Sequence, residues 1–187
     1  MNKRILLLAS GTGSLASAIL AARKEGVIEA DFVGLISDKD SPALEIARAN
    51  DLPAIFIPMV SDRAEWDHQI YQAVSDLKPD LVVSVGFMRI LAPQFVSDFQ
   101  VINTHPSLLP LYPGAHAVRD ALAAEATVTG TSVHLVDAGL DTGPVILQRQ
   151  VEIAPEDDES TLHERIKIVE RALIVEVLAE YGRTGKL

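Results

Sequence analysis

"RILLLASGTGSLASAILAARKEG", residues 4–26, decides the fold. The apolar run after Arg4 is only five residues long, which suits a strand and is too short for the apolar region of a leader peptide. Gly11 and Gly13 supply a turn, and a helix-period segment follows until Gly26 closes it. Strand, glycine turn and helix in succession make the first half of a βαβ unit.

The alternation continues outward from there. "DFVGLIS" (31–37) predicts a second strand. "SPALEIARAN" (41–50) predicts a helix with Ser41 at the N-cap and Pro42 in its first position. "PAIFIPM" (53–59) reads as a short edge strand, since prolines flank it. Asp62 and Glu65 have the spacing of a capping box at the head of a helix over 63–77. "DLVVSVGF" (80–87) has the near-continuous β-branched content of a fully buried strand. After residue 90 the pattern changes to a short helix (92–99), the strand "QVIN" (100–103), a proline-rich loop and a helix over 115–126. The runs 130–138 and 143–154, joined by a tight loop, suit an antiparallel hairpin. A long amphipathic helix, acidic at its start, covers 157–182. The expected architecture is an α/β doubly wound, Rossmann-like sheet, parallel in the N-terminal half and mixed in the C-terminal half, with helices on both faces. One domain is expected over 1–187, in two halves of about 1–100 and about 101–187.

Composition narrows the function classes. The 48% hydrophobic and 22% charged content is that of a globular chain, and no apolar run approaches membrane-spanning length. With 26 acidic against 16 basic residues, the net charge of −10 argues against nucleic acid, whose affinity comes mainly from phosphate neutralisation. A small anionic ligand held by backbone N–H groups remains compatible. The absence of cysteine removes disulfides and thiolate chemistry, and a cytoplasmic setting follows naturally. No pair of histidines has metal-ligand spacing, so no metal site is expected.

Two places carry chemistry. "ASGTGSLA" (9–16) is a glycine turn between strand and helix, suited to an anion. It also satisfies the dinucleotide pattern G-x-G-x-x-A through Gly11, Gly13 and Ala16, with Asp38 at the next strand end as a possible ribose ligand. The second is Asn103, His105 and Asp141. Residues two apart on an extended segment project to the same side, so Asn103 and His105 can converge at a strand's carboxyl end. Asp141 lies in a loop that Gly139 and Gly143 allow to fold tightly. An amide and a protonated imidazole can stabilise an oxyanion, and a carboxylate favours the imidazolium. The bland alternatives are a turn cap, a satisfied core histidine and a turn-forming aspartate. Pro106 and Pro110 restrict the backbone after His105. Among the other histidines, His116 is a possible neighbour of the same cleft. His134 alternates within a strand, and His68 and His163 read as surface helix positions.

Residues 84–96 ("SVGFMRILAPQFV"), 102–114 ("INTHPSLLPLYPG"), 130–148 ("GTSVHLVDAGLDTGPVILQ") and 161–170 ("TLHERIKIVE") together resemble the phosphoribosylglycinamide formyltransferases of the folate-dependent formyltransferase superfamily. The resemblance spans essentially the whole chain. It implies formyl transfer from 10-formyltetrahydrofolate, a co-substrate, to the amine of 5-phosphoribosylglycinamide in purine biosynthesis, with small molecules as the only partners and a monomer or homodimer as the assembly. By resemblance, Asn103, His105 and Asp141 are catalytic. Gly13, Ser14 and Leu15 match the substrate's phosphate loop, and Lys167 and Glu170 match substrate-contacting positions. Arg63, Met88, Arg89, Ile90 and Leu91 match the folate side, together with Asn103. Leu15 departs from the asparagine common at its position, which leaves a backbone contact there but no side-chain one.

Three rival readings remain. Methionyl-tRNA formyltransferases share the triad but carry a further domain and usually Arg-Gly where this chain has Tyr112-Pro113-Gly114. Formyltetrahydrofolate hydrolases share it behind a regulatory domain. A dinucleotide-binding module would use Gly11, Gly13, Ala16 and Asp38 and leave the second half of the chain unexplained.

Overall fold

The first strand, β1 (Lys3–Leu8), divides its side chains between two cores, as the two-residue period of a strand requires. Ile5 and Leu7 enter one, and Leu6 and Leu8 the other, all four without exposed surface. The computed structural model describes residues 2–187. After β1 come α1 (Ser14–Lys24), β2 (Ala30–Ser37), α2 (Pro42–Ala49), β3 (Ala54–Phe56), α3 (Arg63–Leu77), β4 (Leu81–Ser84) and α4 (Pro93–Asp98). Then follow β5 (Val101–His105), α5 (Ala117–Ala123), β6 (Val128–Leu135), β7 (Val145–Glu152) and α6 (Glu159–Thr184).

The strands form one sheet in the order β3-β2-β1-β4-β5-β6-β7. Pairing is parallel from β3 through β5 and antiparallel for β5 with β6 and β6 with β7. The expected sheet, parallel then mixed, is the one observed. One core lies under α1, α2 and the second half of α6, closed by Leu173, Ile174, Leu178 and Tyr181. The other lies under α3 and α4, where Trp66, Ile70, Val74 and Phe95 meet Leu6, Leu8 and Val82. A smaller cluster of Val118, Val151, Leu162 and Ile166 fixes the first turns of α6 against α5 and β7. Among the described residues no helix is long and apolar enough to cross a membrane.

Several local expectations need correction. Asp62 accepts from the backbone N–H groups of Ala64 and Glu65, but Glu65 completes no capping box; its carboxylate accepts from Gln69 one turn on. Ser41 holds the N-cap position of α2 without capping, because its hydroxyl is engaged with Ser37. A complete box stands instead at α6, between Asp158 and Thr161. The strand expected over 80–87 stops at Ser84, where the chain turns into the cleft. The helix expected over 115–126 occupies only 117–123. Conversely β5 runs on through His105, past the expected end at residue 103, because Thr104 and His105 pair with Val133 and Ser132 on β6.

Candidate active site

β1 and β4 are neighbours in the sheet, yet β2 and β3 lie to one side of them and β5 to β7 to the other. The loops leaving their carboxyl ends therefore part, and doubly wound sheets take ligands at such a point. A cleft of about 730 Å³ opens there.

The glycine loop forms one end of it. Gly13 has the left-handed φ of 73°, and a Cβ there would stand 2.9 Å from Ala43 Cα and 2.8 Å from Ile46 Cδ1. Both the turn and the approach of α2 require glycine. No side chain caps α1, so its leading N–H groups are left to an anion in the cleft. Leu15 is buried in the larger core, so this residue offers the cleft backbone only.

The strip 84–91 forms the facing wall. Its backbone N–H groups at Arg89, Ile90 and Leu91 make no hydrogen bond among the described residues. Apolar side chains of Met88, Ile90 and Leu140 stand exposed around them. Free main-chain donors in an apolar setting suit the paired edges of a fused heterocycle. The strip is tied down beneath: Met88 N–H donates to Ser10 Oγ at 3.0 Å, and Ser10 Oγ donates to Asp38. Arg89 Nε donates to the other Asp38 oxygen at 2.5 Å, across the end of β1. The Asp38 side chain is wholly buried and both its oxygens are engaged, so it is not available as a ribose ligand. That removes the acidic partner on which the dinucleotide reading depends.

The reactive centre lies between these walls. Asn103 on β5 has Ser84 of β4 and His134 of β6 as its register partners on either side. Its Oδ1 accepts from Ser84 Oγ at 2.7 Å, and its Nδ2 lies 3.3 Å from His134 Nε2. His105 is 4% exposed. Its Nε2 donates to the Tyr112 carbonyl at 2.8 Å, and its Nδ1 faces Asp141 Oδ2 at 3.5 Å. Both ring nitrogens thus face oxygen acceptors, a setting that a doubly protonated imidazole satisfies. Asp141 sits at a left-handed φ of 54°, uncommon for a residue with a Cβ. Its Oδ2 accepts the Gly114 N–H at 2.8 Å, and its Oδ1 stands 3.6 Å from His134 Nε2. The loop that carries it is braced by Asp137, which accepts from Gly139 N–H and Thr142 Oγ1. An amide donor, an imidazole and a carboxylate around one open volume can receive a developing oxyanion and manage its proton.

Along α6, His163, Lys167 and Glu170 face the cleft. Glu170 is 6% exposed, and burial raises its pKa against the opposing pull of Thr104, Lys167 and Arg171. Lys167 pairs with Glu164 at 2.8 Å.

Every residue matched by resemblance to the catalytic, phosphate or folate positions lines this one cleft, except Arg63. Arg63 braces it from outside, with its guanidinium bonded to the Ile90 carbonyl, paired with Asp67 and lying over the Trp66 ring. His116 is exposed at the N-cap of α5 and does not line the cleft. His163, read as a surface position, does line it. His134, read as a strand residue, is 1% exposed and touches both Asn103 and Asp141. Ser84 was missed altogether. Both lie on strands adjacent to Asn103, and only the register of long-range pairings places them there.

Residues 3–178 match the sequence profile of the formyl transferase family. The chain is 48% identical over 186 residues to the phosphoribosylglycinamide formyltransferase of Mycobacterium tuberculosis (strain ATCC 25618 / H37Rv), covering 97% of this chain and 86% of that one. It is 38% identical to the Escherichia coli (strain K12) enzyme of the same name, over 95% of this chain and 86% of that one. The crystal structure of glycinamide ribonucleotide transformylase 1 from Symbiobacterium toebii superposes with a TM-score of 0.93 at 34% identity, covering 97% of this chain and 88% of that one.

Proposed function

The chain belongs to the formyl transferase family, and from that membership we propose that it transfers a formyl group from 10-formyltetrahydrofolate to the amine of 5-phosphoribosylglycinamide, a step of purine biosynthesis. One observation carries the reading. Asn103, His105 and Asp141 converge in a single cleft whose one end suits a phosphate and whose opposite wall offers free main-chain groups in an apolar setting.

In this reading the phosphate rests on Gly13, Ser14 and Leu15 through backbone N–H groups, with Lys167 adding charge from α6. Glu170 receives the polar groups near the attacking amine. The folate lies along Met88 to Leu91, its heterocycle paired with the backbone there and its carbonyl carbon directed at the centre. Attack of the amine converts the formyl oxygen to an oxyanion. Asn103 donates an N–H to that oxygen, and an imidazolium at His105 adds its charge and, once its Nε2–H leaves the Tyr112 carbonyl, a second hydrogen, with Asp141 facing Nδ1. Collapse of the intermediate expels the folate nitrogen, which as it leaves takes up the proton that the attacking amine gives up. Arg63 acts indirectly, by holding the Ile90 carbonyl in place.

The same reading gives a cytoplasmic enzyme, monomeric or homodimeric, that acts on small molecules and uses no metal. The net charge of −10 is unfavourable for a tRNA acceptor. The test is a single assay of purified protein with 10-formyltetrahydrofolate and three acceptors: glycinamide ribonucleotide, charged initiator tRNA and water. Transfer to the ribonucleotide alone is expected. Formylated tRNA, or formate release without an acceptor, would overturn the assignment.

A further inference from the structure

The side-chain amide of Asn103 fits its place in two orientations related by a half-turn, and its neighbours decide between them. His134 Nδ1 lies 2.8 Å from the Leu135 carbonyl, which can only accept, so Nδ1 carries the ring proton. Burial works against a second proton on the ring, against the pulls of the Leu135 carbonyl, Asp141 and Asp137, and in the neutral ring with its proton at Nδ1 the other nitrogen, Nε2, is an acceptor. The Asn103 atom 3.3 Å from it is therefore the donor Nδ2. Oδ1 then points at Ser84 Oγ, 2.7 Å away, and the serine hydroxyl must be the donor. One hydrogen of Nδ2 remains without a partner among the described residues, on a side chain that lines the cleft.

We propose that Ser84 is a positioning residue for formyl transfer: by donating to Asn103 Oδ1 from the neighbouring strand, its hydroxyl keeps the free Asn103 N–H aimed at the reacting oxygen. The proposal rests on the reading of Asn103 as the oxyanion donor. Ser84 and His134 act from the two sides of β5, one giving a hydrogen to the amide oxygen and the other taking one from the amide nitrogen. Turning the amide over would set Oδ1 against His134 Nε2, acceptor to acceptor, and Nδ2 against Ser84 Oγ. Without the hydroxyl, Oδ1 is left unsatisfied where Ser84 is only 5% exposed, and the amide loses its fixed angle. Preorganised donors are effective because they need no reorientation as charge develops, so the loss falls on the chemical step and not on substrate binding.

The experiment compares wild type with Ser84→Ala and Ser84→Thr. Ser84→Ala should lower kcat about five- to fiftyfold with both KM values within about twofold, and Ser84→Thr should recover most of the rate because it keeps the hydroxyl. A kcat for Ser84→Ala within twofold of wild type overturns the proposal, and so does a rise in both KM values at unchanged kcat. A second measurement covers the case in which Ser84→Ala folds poorly. Nitrogen NMR of the wild type should show His134 protonated at Nδ1 alone and a well-dispersed Asn103 amide pair, identified by its disappearance in Asn103→Asp. A ring protonated at Nε2 would overturn the orientation argument whatever the activity. If wild type transfers nothing to glycinamide ribonucleotide, the functional reading fails instead, and the tautomer result still stands on its own.

Discussion

Asp141 Oδ2 faces His105 Nδ1 at 3.5 Å while it accepts the Gly114 N–H at 2.8 Å. The backbone contact holds the carboxylate where its charge is useful, and the two roles can be separated. Asn tolerates the left-handed backbone of residue 141 and its amide oxygen can still accept from Gly114. Asp141→Asn should therefore fold normally and lose the charge alone. We expect kcat to fall by about 10²–10³-fold with KM changed only a few-fold. Steady-state kinetics at neutral pH checks this, and a kcat near that of wild type would remove Asp141 from the chemistry.

Glu170 presents the opposite balance, a buried carboxyl whose ionisation costs stability. Burial raises its pKa above the ordinary 4.5, so the folded chain holds that proton more tightly than the unfolded chain. Stability from this group is fully present below the unfolded value and is lost as pH rises through the folded one. Above the folded value the ionised carboxylate is therefore a burden on the fold. Glu170→Gln should raise the melting temperature by roughly 2–4 °C at pH 7.5 while weakening the binding of the amine substrate. The gain should shrink as pH falls toward 4.5. Calorimetry across that range, paired with KM for the ribonucleotide, tests both halves.

His134 gives the reverse sign. Burial lowers its pKa below the ordinary 6.5, although Asp141 and Asp137 pull the other way and His105 adds to the lowering. The unfolded chain then binds more protons, so stability is present above about 6.5 and falls as pH drops through the folded value. His163 is shifted in the same direction by burial and Lys167, so it contributes to the same slope. His134→Gln should flatten the dependence of urea-unfolding stability between pH 7.5 and 5 without abolishing it. An identical slope in the variant would mean that His134 is not the neutral buried group described.

Much of this molecule was legible in the chain itself. The two-residue alternation of Ile5 to Leu8, the glycine turn and the helix-period segments are local signals, and they point to the parallel half of the sheet, with the reactive residues at a strand's carboxyl end; the switch point between β1 and β4 is read only from the strand order. Asn103 and His105 share a strand, so their convergence also followed from local geometry. His134 and Ser84 were opaque because their roles depend on which residue of β6 and of β4 stands beside Asn103. That register is set by pairings across 31 and 19 residues of sequence. Asp38 was misread for a related reason: its position at a strand end suits a ribose ligand, and only the reach of Arg89 over β1 shows it occupied. The capping box expected from Asp62 and Glu65 is only half formed, since the Glu65 carboxylate turns along the helix to accept from Gln69.

The pair between Asp38 and Arg89 yields the last prediction. Asp38 is wholly buried, whereas about a third of the Arg89 side chain (32%) is exposed, so solvent screens part of what the pair contributes. Asp38→Asn keeps the shape and removes the charge, at a cost of about 1–3 kcal/mol to unfolding stability. Because Arg89 sits in the strip proposed to hold the folate, the KM for 10-formyltetrahydrofolate should rise roughly tenfold, with kcat at saturation little changed, the pattern of lost ground-state binding. The Met88 to Ser10 bond and the Arg63 contact to Ile90 also hold the strip. If they suffice, the KM will stay at the wild-type value and Asp38 will have only a structural part. Wild type should also show no saturable NAD binding in a fluorescence titration, since both oxygens of Asp38 are already committed. Tight NAD binding would mean that Arg89 releases the carboxylate to a ribose, and the folate strip would then be free to move as well.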